Sequence, residues 1–264
     1  MMNLTEVKGL VIRTTDLSES DRLIRLFSDQ LGVISVYANN SRSLKSRYMA
    51  AAQLFCYGNY LLYRKGDKYW LREAELKENF FGLRSSIEKT ALASYFCDVL
   101  SEAGTTDPDV ALLRLTLNSL WALEHGSADP GRIKLCFEMR CAAELGFMPD
   151  LSGCTECGSD EGELYLDVLE GVCTCRECRE YAASVHREGN VIVEGEETRR
   201  PVLILSPGVR AALRYVMGCP LEKIHSFRIQ PSDEEPLSVS AEQYLLHHLG
   251  RGFDTLKFYK EVSG

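Results

Sequence analysis

Over the first 80 residues the apolar positions fall in short runs broken by polar turns, and after Phe80 their spacing lengthens to a helical period. "KGLVIRTT" (8–15) predicts a strand. "RLIRLFSDQLGVISVYANN" (22–40) fits strand-turn-strand around Leu31-Gly32, although Leu23, Ile24, Leu26 and Phe27 also fit one helical turn, and periodicity alone leaves both open. "NYLLYRKGDKYWLREAEL" (59–76) is less ambiguous. Two Tyr-, Leu- and Trp-bearing runs flank Lys65-Gly66-Asp67, which signals a hairpin. Several short strands in about 75 residues predict a small barrel, because closure removes exposed edges.

Beyond Phe80, Ile87, Ala91, Tyr95 and Val99 recur at helical spacing beside Leu92, Phe96 and Leu100. Asp107-Pro108, Asp129-Pro130 and Ser206-Pro207 each read as an N-cap followed by proline at the first helical position. "SAEQYLLHHLG" predicts a last helix ending at Gly250. Residues 81–150 and roughly 200–250 are therefore expected to be helical. "VEGEETRRP" (194–201) reads as a charged connector, and "DEE" (233–235) as a solvated turn.

Composition refines this picture. The chain has 264 residues and 45% hydrophobic positions, enough for roughly two domains with real cores. No apolar run approaches the ~20 residues that span a bilayer, and the N-terminus lacks a signal-peptide pattern, so a cytoplasmic protein is expected. The net charge is −8, but it is unevenly placed: residues 1–80 carry +3 and the remainder −11. From Leu31 to Arg72 there are seven basic residues and one acid, Asp67. Screening limits distant acids to about 10 Å, so such a strip still attracts phosphate. Walker, nucleophile-elbow and HExxH motifs are absent.

Five of the ten cysteines lie between Cys154 and Cys178. Cys154-Thr-Glu-Cys157 and Cys175-Arg-Glu-Cys178 are two CxxC pairs separated by 17 residues, a zinc spacing. Two intervening residues let one turn aim both sulfurs at an ion about 2.3 Å away, and Gly158 permits the chain to turn back. "ELYLDVLEG" (163–171) can form a hairpin bringing the second pair alongside. Four thiolates close a tetrahedron and leave no place for a water, so one structural zinc is expected. Cys173 reads as a bystander, and Cys56, Cys97, Cys136, Cys141 and Cys219 as buried small apolar residues. A deaminase reading fails on order: the only H-x-E, His186-Arg187-Glu188, follows both pairs.

Three stretches together resemble the RecO family of bacterial recombination mediators: "SESDRLIRLFSDQLGVISVYANNSRSLKSR", "GLRSSIEKTALASYFCDVL" and "FEMRCAAELGFMPDLSGCTECG". The resemblance implies an α+β multidomain protein, with an N-terminal OB-fold (oligonucleotide-binding) β-barrel over residues 1–80. An α-helical domain over 81–264 would carry a four-cysteine zinc-knuckle insertion at about 151–185. The resemblance sides with strands for 21–30. It also implies a non-enzymatic function in DNA repair and recombination: binding single- and double-stranded DNA, annealing strands and, with RecR, helping RecA replace single-strand-binding protein. A bacterial, nucleoid-associated location follows, with no membrane contact. The loop after the third strand departs from the family in holding only three cations, Arg42, Lys45 and Arg47.

Those three are the expected phosphate contacts, shared with Lys65 and Lys68, while Tyr37, Tyr60, Tyr63, Tyr69 and Trp70 are either stacking surfaces or barrel core. Arg132, Lys134 and Arg140, near Ile133, Phe137 and Met139, are the expected receptor for the acidic, apolar-ended tail of single-strand-binding protein. A second reading is a zinc-stabilised interaction scaffold that does not touch DNA.

Overall fold

The computed structural model describes residues 4–43, 45–103, 108–188 and 201–263, side chains of 183–188 excepted. Two compact units emerge: Met1–Pro130 with Gly252–Gly264, and Gly131–Arg251. Compactness thus divides the chain near residue 130, although the change from strands to helices falls at residue 80 as the periodicity indicates.

The first unit opens with five strands, β1 (Leu4–Asp16), β2 (Arg22–Ser28), β3 (Gly32–Ala38), β4 (Tyr57–Lys65) and β5 (Lys68–Glu78). They close a barrel in the order β1-β2-β3-β5-β4, with β3 and β5 parallel and every other pair antiparallel. The ambiguous stretch 22–28 is a strand, because Ile24 and Leu26 point inward on a two-residue period. Val7, Val11, Ile24, Leu26, Val36, Tyr60, Leu62 and Leu71 fill the interior. Tyr60 is core, and its hydroxyl donates to the Ala51 carbonyl at 2.9 Å. The hairpin expected at Lys65-Gly66-Asp67 is present, with Lys65 pairing with Lys68 across a two-residue loop, Gly66-Asp67. Glycine is required at position 58, where a Cβ would collide with the Glu75 carbonyl oxygen.

Helices α1 (Ile87–Ala103) and α2 (Val110–His125) follow a 3-10 turn at Phe81–Ser85. Ala91, Leu92, Tyr95, Phe96, Val99 and Leu100 are buried, but Ile87, expected on the same stripe, is 62% exposed at the helix start. The cap of α2 is Asp109, whose carboxylate accepts from the Leu112 amide at 2.9 Å; Asp107 lies outside the described residues.

In the second unit, α3 (Pro130–Glu144) begins at the expected proline. Strands β6 (Leu164–Asp167) and β7 (Val172–Cys175) form the hairpin before α4 (Arg176–Glu188). The expectation of helix throughout 200–250 is corrected by β8 (Val202–Leu205), which pairs antiparallel with β6 and buries Leu203 and Leu205. Ser206 caps α5 (Pro207–Gly218) as predicted, accepting from the Val209 amide. Helix α6 (Pro231–Leu249) starts well before "SAEQYLLHHLG", so Asp233-Glu234-Glu235 lie in its first turns rather than in a loop. Acids suit a helix N-terminus, which carries partial positive charge. Gly250 ends α6 at φ 68°, as read, but a further helix, α7 (Asp254–Val262), returns the chain to the first unit. There the Thr255 hydroxyl donates to Asp98 at 2.9 Å, and Phe253 meets Tyr95 edge-on. The connector at 194–200 lies outside the described residues.

Candidate nucleic-acid interface and metal centre

The barrel's outer face is set by strand alternation. On β4 the even positions Tyr60 and Leu62 point inward, so Tyr63 points out. Trp70 of β5 pairs with Tyr63 on one side and with Tyr37 of β3 on the other. The three rings therefore form a row, half-buried, with Tyr37 and Trp70 stacked at 5.6 Å and Tyr63 6.2 Å beyond. Two residues either side of Trp70 along β5, Lys68 and Arg72 share this face. The Lys68 ammonium lies 5.6 Å from the Tyr37 ring and the Arg72 guanidinium 4.8 Å from Tyr63. Arg64 sits over Tyr69, 5.7 Å away, and Lys65 is exposed beside it. Tyr69 itself packs against the barrel core.

The pairing slips by one residue here. Leu62 pairs with Leu71, but Leu61 pairs with Glu73, leaving Arg72 as an extra residue in β5. Such a bulge re-aims a side chain and frees a backbone group. The freed Arg72 carbonyl accepts from the Arg47 guanidinium at 3.0 Å and from the Tyr48 hydroxyl. The basic loop after β3 is thus fastened to the aromatic row.

The loop cations are not equivalent. Lys45 and Arg47 are exposed. Arg42 is tied down: its guanidinium donates to the Ser18 carbonyl and pairs with Asp16 at 3.3 Å, and its amide donates to the Ser20 carbonyl. Neighbours in sequence supply no acid, but Asp16 of β1 does, so Arg42 is partly neutralised from a distant strand. Arg72 and Tyr48 were the residues least visible as site members. The alternation Lys68-x-Trp70-x-Arg72, period two on a strand, was the signal that could have found Arg72.

Cys154, Cys157, Cys175 and Cys178 bring their four sulfurs within 4.8 Å of one another, and this cluster can hold a metal ion. The Cys157 and Cys175 sulfurs are 3.8 Å apart. A tetrahedron with ~2.3 Å metal–sulfur bonds has edges of about 3.8 Å, so the donor set fits. Each half is positioned locally. The Gly158 amide donates to the Cys154 carbonyl at 2.8 Å, with Gly158 at φ 77°, and the Cys178 amide points at the Cys175 sulfur at 3.4 Å. The β6–β7 hairpin sets one pair beside the other, as read. Burial opposes ionisation of Cys154, but the amides of Cys175, Cys157 and Glu156 outweigh it and bring the thiol down to about 6. Cys178 is pushed up by its hydrogen bonds with Cys175 and Cys157. Four crowded thiols cannot all ionise without a cation between them. Cys173 lies outside the cluster. It is buried, burial pushes its thiol up to about 11, and its carbonyl accepts from the Thr155 amide. Cys56, Cys97, Cys136, Cys141 and Cys219 are all buried.

The three cations expected to receive a partner's tail are engaged within the second unit. Lys134 is only 4% exposed and bridges Glu138 (2.9 Å) and Glu242 (2.7 Å). Arg140 pairs with Glu144 at 2.7 Å and donates to the carbonyls that end α5, those of Val216, Met217 and Cys219. Arg132 lies 5.1 Å from the Phe227 ring and 3.7 Å from Glu234, with part of its side chain exposed. Ile133, Phe137 and Met139 are core. Burial removes Lys134 from any role on the surface.

The chain matches two family models, "Recombination protein O N terminal" over residues 2–80 and "Recombination protein O C terminal" over residues 84–257. The boundary between them coincides with the end of the barrel. A "DNA repair protein RecO" of Acetivibrio thermocellus is 28% identical over 264 residues, covering 99% of this chain and 98% of the relative. Proteins of the same description from Listeria monocytogenes and Caldanaerobacter subterraneus are 26% and 24% identical, each covering at least 98% of this chain and 95% of the relative. With a barrel that ends where the first matched region ends, and a four-cysteine centre inside the second, the chain belongs to the RecO family.

Proposed function

We propose that this protein is a non-enzymatic mediator of DNA repair that binds DNA through its barrel, anneals complementary strands and, with RecR, helps RecA replace single-strand-binding protein. The observation that carries the reading is the convergence of Arg47, Lys65, Lys68 and Arg72 on one aromatic-bearing face of a closed five-stranded barrel, with Lys45 exposed on the loop that Arg47 fastens there. Cations neutralise phosphates, and the aromatic rings offer a surface to bases. Arg42 contributes less, because Asp16 shares its charge. Family membership supports the repair role, and the relatives' descriptions agree with it.

Zinc is the metal proposed for Cys154, Cys157, Cys175 and Cys178, one ion with a structural role. Four sulfurs within 4.8 Å of one another, one pair at 3.8 Å, suit it, and a closed thiolate shell leaves no position for a substrate. A receptor for the tail of single-strand-binding protein is proposed in the groove of about 380 Å³ beside α5, lined by Ala211, Ala212, Tyr215, Phe227 and Arg228. Arg132, over Phe227, is the one of the three expected cations placed to meet an acidic chain end there. No helix among the described residues is long and apolar enough to cross a membrane, and a nucleoid-associated location in a bacterial cytoplasm is proposed.

The alternative is a zinc-stabilised scaffold, which the −11 balance of residues 81–264 favours. Retention of the protein on immobilised single-stranded oligonucleotide separates the two. The mediator is retained at low salt and released as salt rises, whereas a scaffold passes through at every salt concentration.

A further inference from the structure

The three-stranded sheet beside the cysteine centre is apolar on both faces. Leu164 and Leu166 of β6, Cys173 of β7, and Leu203 and Leu205 of β8 are buried on the inner face. The alternate positions point the other way, with Tyr165 and Val172 half-buried and Ile204 56% exposed. An antiparallel sheet with one solvated face alternates apolar with polar residues, and this outer face departs from that pattern. The register sets Ile204 directly across from Tyr165, so the apolar surface runs from strand to strand. Helix α4 makes a wall along it and presents Tyr181, 72% exposed. Between helix and sheet lies a groove of about 770 Å³, with Tyr165, Val172 and Tyr181 in its lining.

Charge says what the groove admits. Each CxxC pair sends one carboxylate to it, Glu156 from the first and Glu177 from the second, and the β6–β7 turn adds Asp167 and Glu170. Among the described lining residues the one cation is Arg179, whose guanidinium lies 5.4 Å from the Tyr165 ring. Nucleic acid and anionic lipid are repelled by such a lining, and a cationic chain is attracted. Apolar, aromatic floor with a charged rim is the anatomy of a protein-binding surface. We propose that this groove receives a basic segment of a protein partner. An aliphatic or aromatic side chain of the segment packs between Tyr165 and Tyr181, and its arginines or lysines meet the surrounding carboxylates. The groove lies wholly within the second unit, so it adds a protein-binding surface to the DNA-binding reading without depending on it.

The probe is a short fluorescein-labelled peptide in which arginine alternates with phenylalanine, compared with a peptide of equal charge in which glycine replaces phenylalanine. Anisotropy at physiological salt is expected to show binding of the first and much weaker binding of the second. Tyr181→Ala is expected to weaken the first about five-fold or more, the threshold of an interface hot spot. Glu156→Lys/Glu170→Lys, which sets like charges against the peptide, is expected to weaken it about ten-fold or more. The same change in net charge made on the barrel, Glu6→Lys/Glu73→Lys, is expected to leave affinity unaltered. All five side chains are exposed, and circular dichroism and zinc content confirm that the variants are folded. Failure of the phenylalanine peptide to bind, equal binding of the glycine peptide, or equal weakening by the barrel variant overturns the inference. Self-association in sedimentation velocity that the groove variant abolishes assigns the groove to a second copy of the chain and overturns it likewise. Oligonucleotide binding by the groove variant is expected to match the wild type, so loss of the peptide site is distinguishable from failure of the DNA-binding reading.

Discussion

At the scale of single residues, the buried ion cluster in the second unit decides what several charges are for. Burial works against the Lys134 ammonium, but Glu138 and Glu242 outweigh it and hold its pKa above the ordinary lysine value. Glu138 is fully buried. Replacing Lys134 by Ala leaves carboxylates uncompensated in the interior, and a loss of about 3–5 kcal/mol is expected in urea unfolding. The sequence showed Lys134 only as a cation on an apolar helix, where it read as a rim residue. The two acids that claim it come from one turn away and from α6, a helix whose first half the sequence hid behind Pro231, Pro236 and three acids. His225 is half-buried, with both ring nitrogens out of solvent. Burial, and then the nearby Arg132 charge, lower its pKa to about 4. Neither ring nitrogen has a hydrogen-bond partner. The unfolded chain takes up this proton near pH 6.5 and the folded chain does not until about pH 4. Stability contributed by this residue is therefore intact above pH 6.5 and falls between 6.5 and 4. Thermal midpoints measured across that window are expected to fall more for the wild type than for His225→Leu. A parallel decline would show that His225 is not the group responsible.

Among the elements, the cysteine centre was the most legible, because its geometry is local. A CxxC pair and a glycine specify one turn, and the hairpin between the pairs follows from the short run 163–171. What the sequence did not display is β8, a four-residue run that gains its strand identity from pairing with β6. That pairing ties the centre to the buried Leu164, Leu166, Leu203 and Leu205 rather than leaving it as an appendage. One zinc per chain is expected by elemental analysis of reduced protein, with Cys154→Ser losing it and Cys173→Ser keeping it. Structural zinc contributes ~10–16 kcal/mol in small peptides, comparable with the stability of a whole domain. Chelation is therefore expected to raise hydrogen exchange in β6, β7 and β8 together. Protection lost in β7 alone would mean that β8 is held independently of the metal.

Over the whole molecule, the barrel and the helical region were legible from the change in period, from two to about 3.6, at Phe80. The division into compact units was not. It depends on α7, which leaves the second unit at Gly252 and packs on α1, a contact between Thr255 and Asp98 that no local pattern displays. The charge division was visible in the sequence, yet only the closed barrel places Arg47 at the Arg72 carbonyl and Arg72 over Tyr63, next to Trp70 in the ring row. The protein is acidic overall and cationic where β3, β4 and β5 meet, and DNA is expected on that one face. The direct measurement is the salt dependence of single-stranded oligonucleotide binding, compared between the wild type and the Lys45→Ala/Arg47→Ala/Lys68→Ala variant. Each phosphate neutralised on a single strand contributes about 0.7 to the slope of log affinity against log salt. A slope shallower by roughly 2 in the variant, with similar loss for unrelated base sequences, is the predicted result. An unchanged slope with the barrel folded would contradict it and move the DNA site off this face.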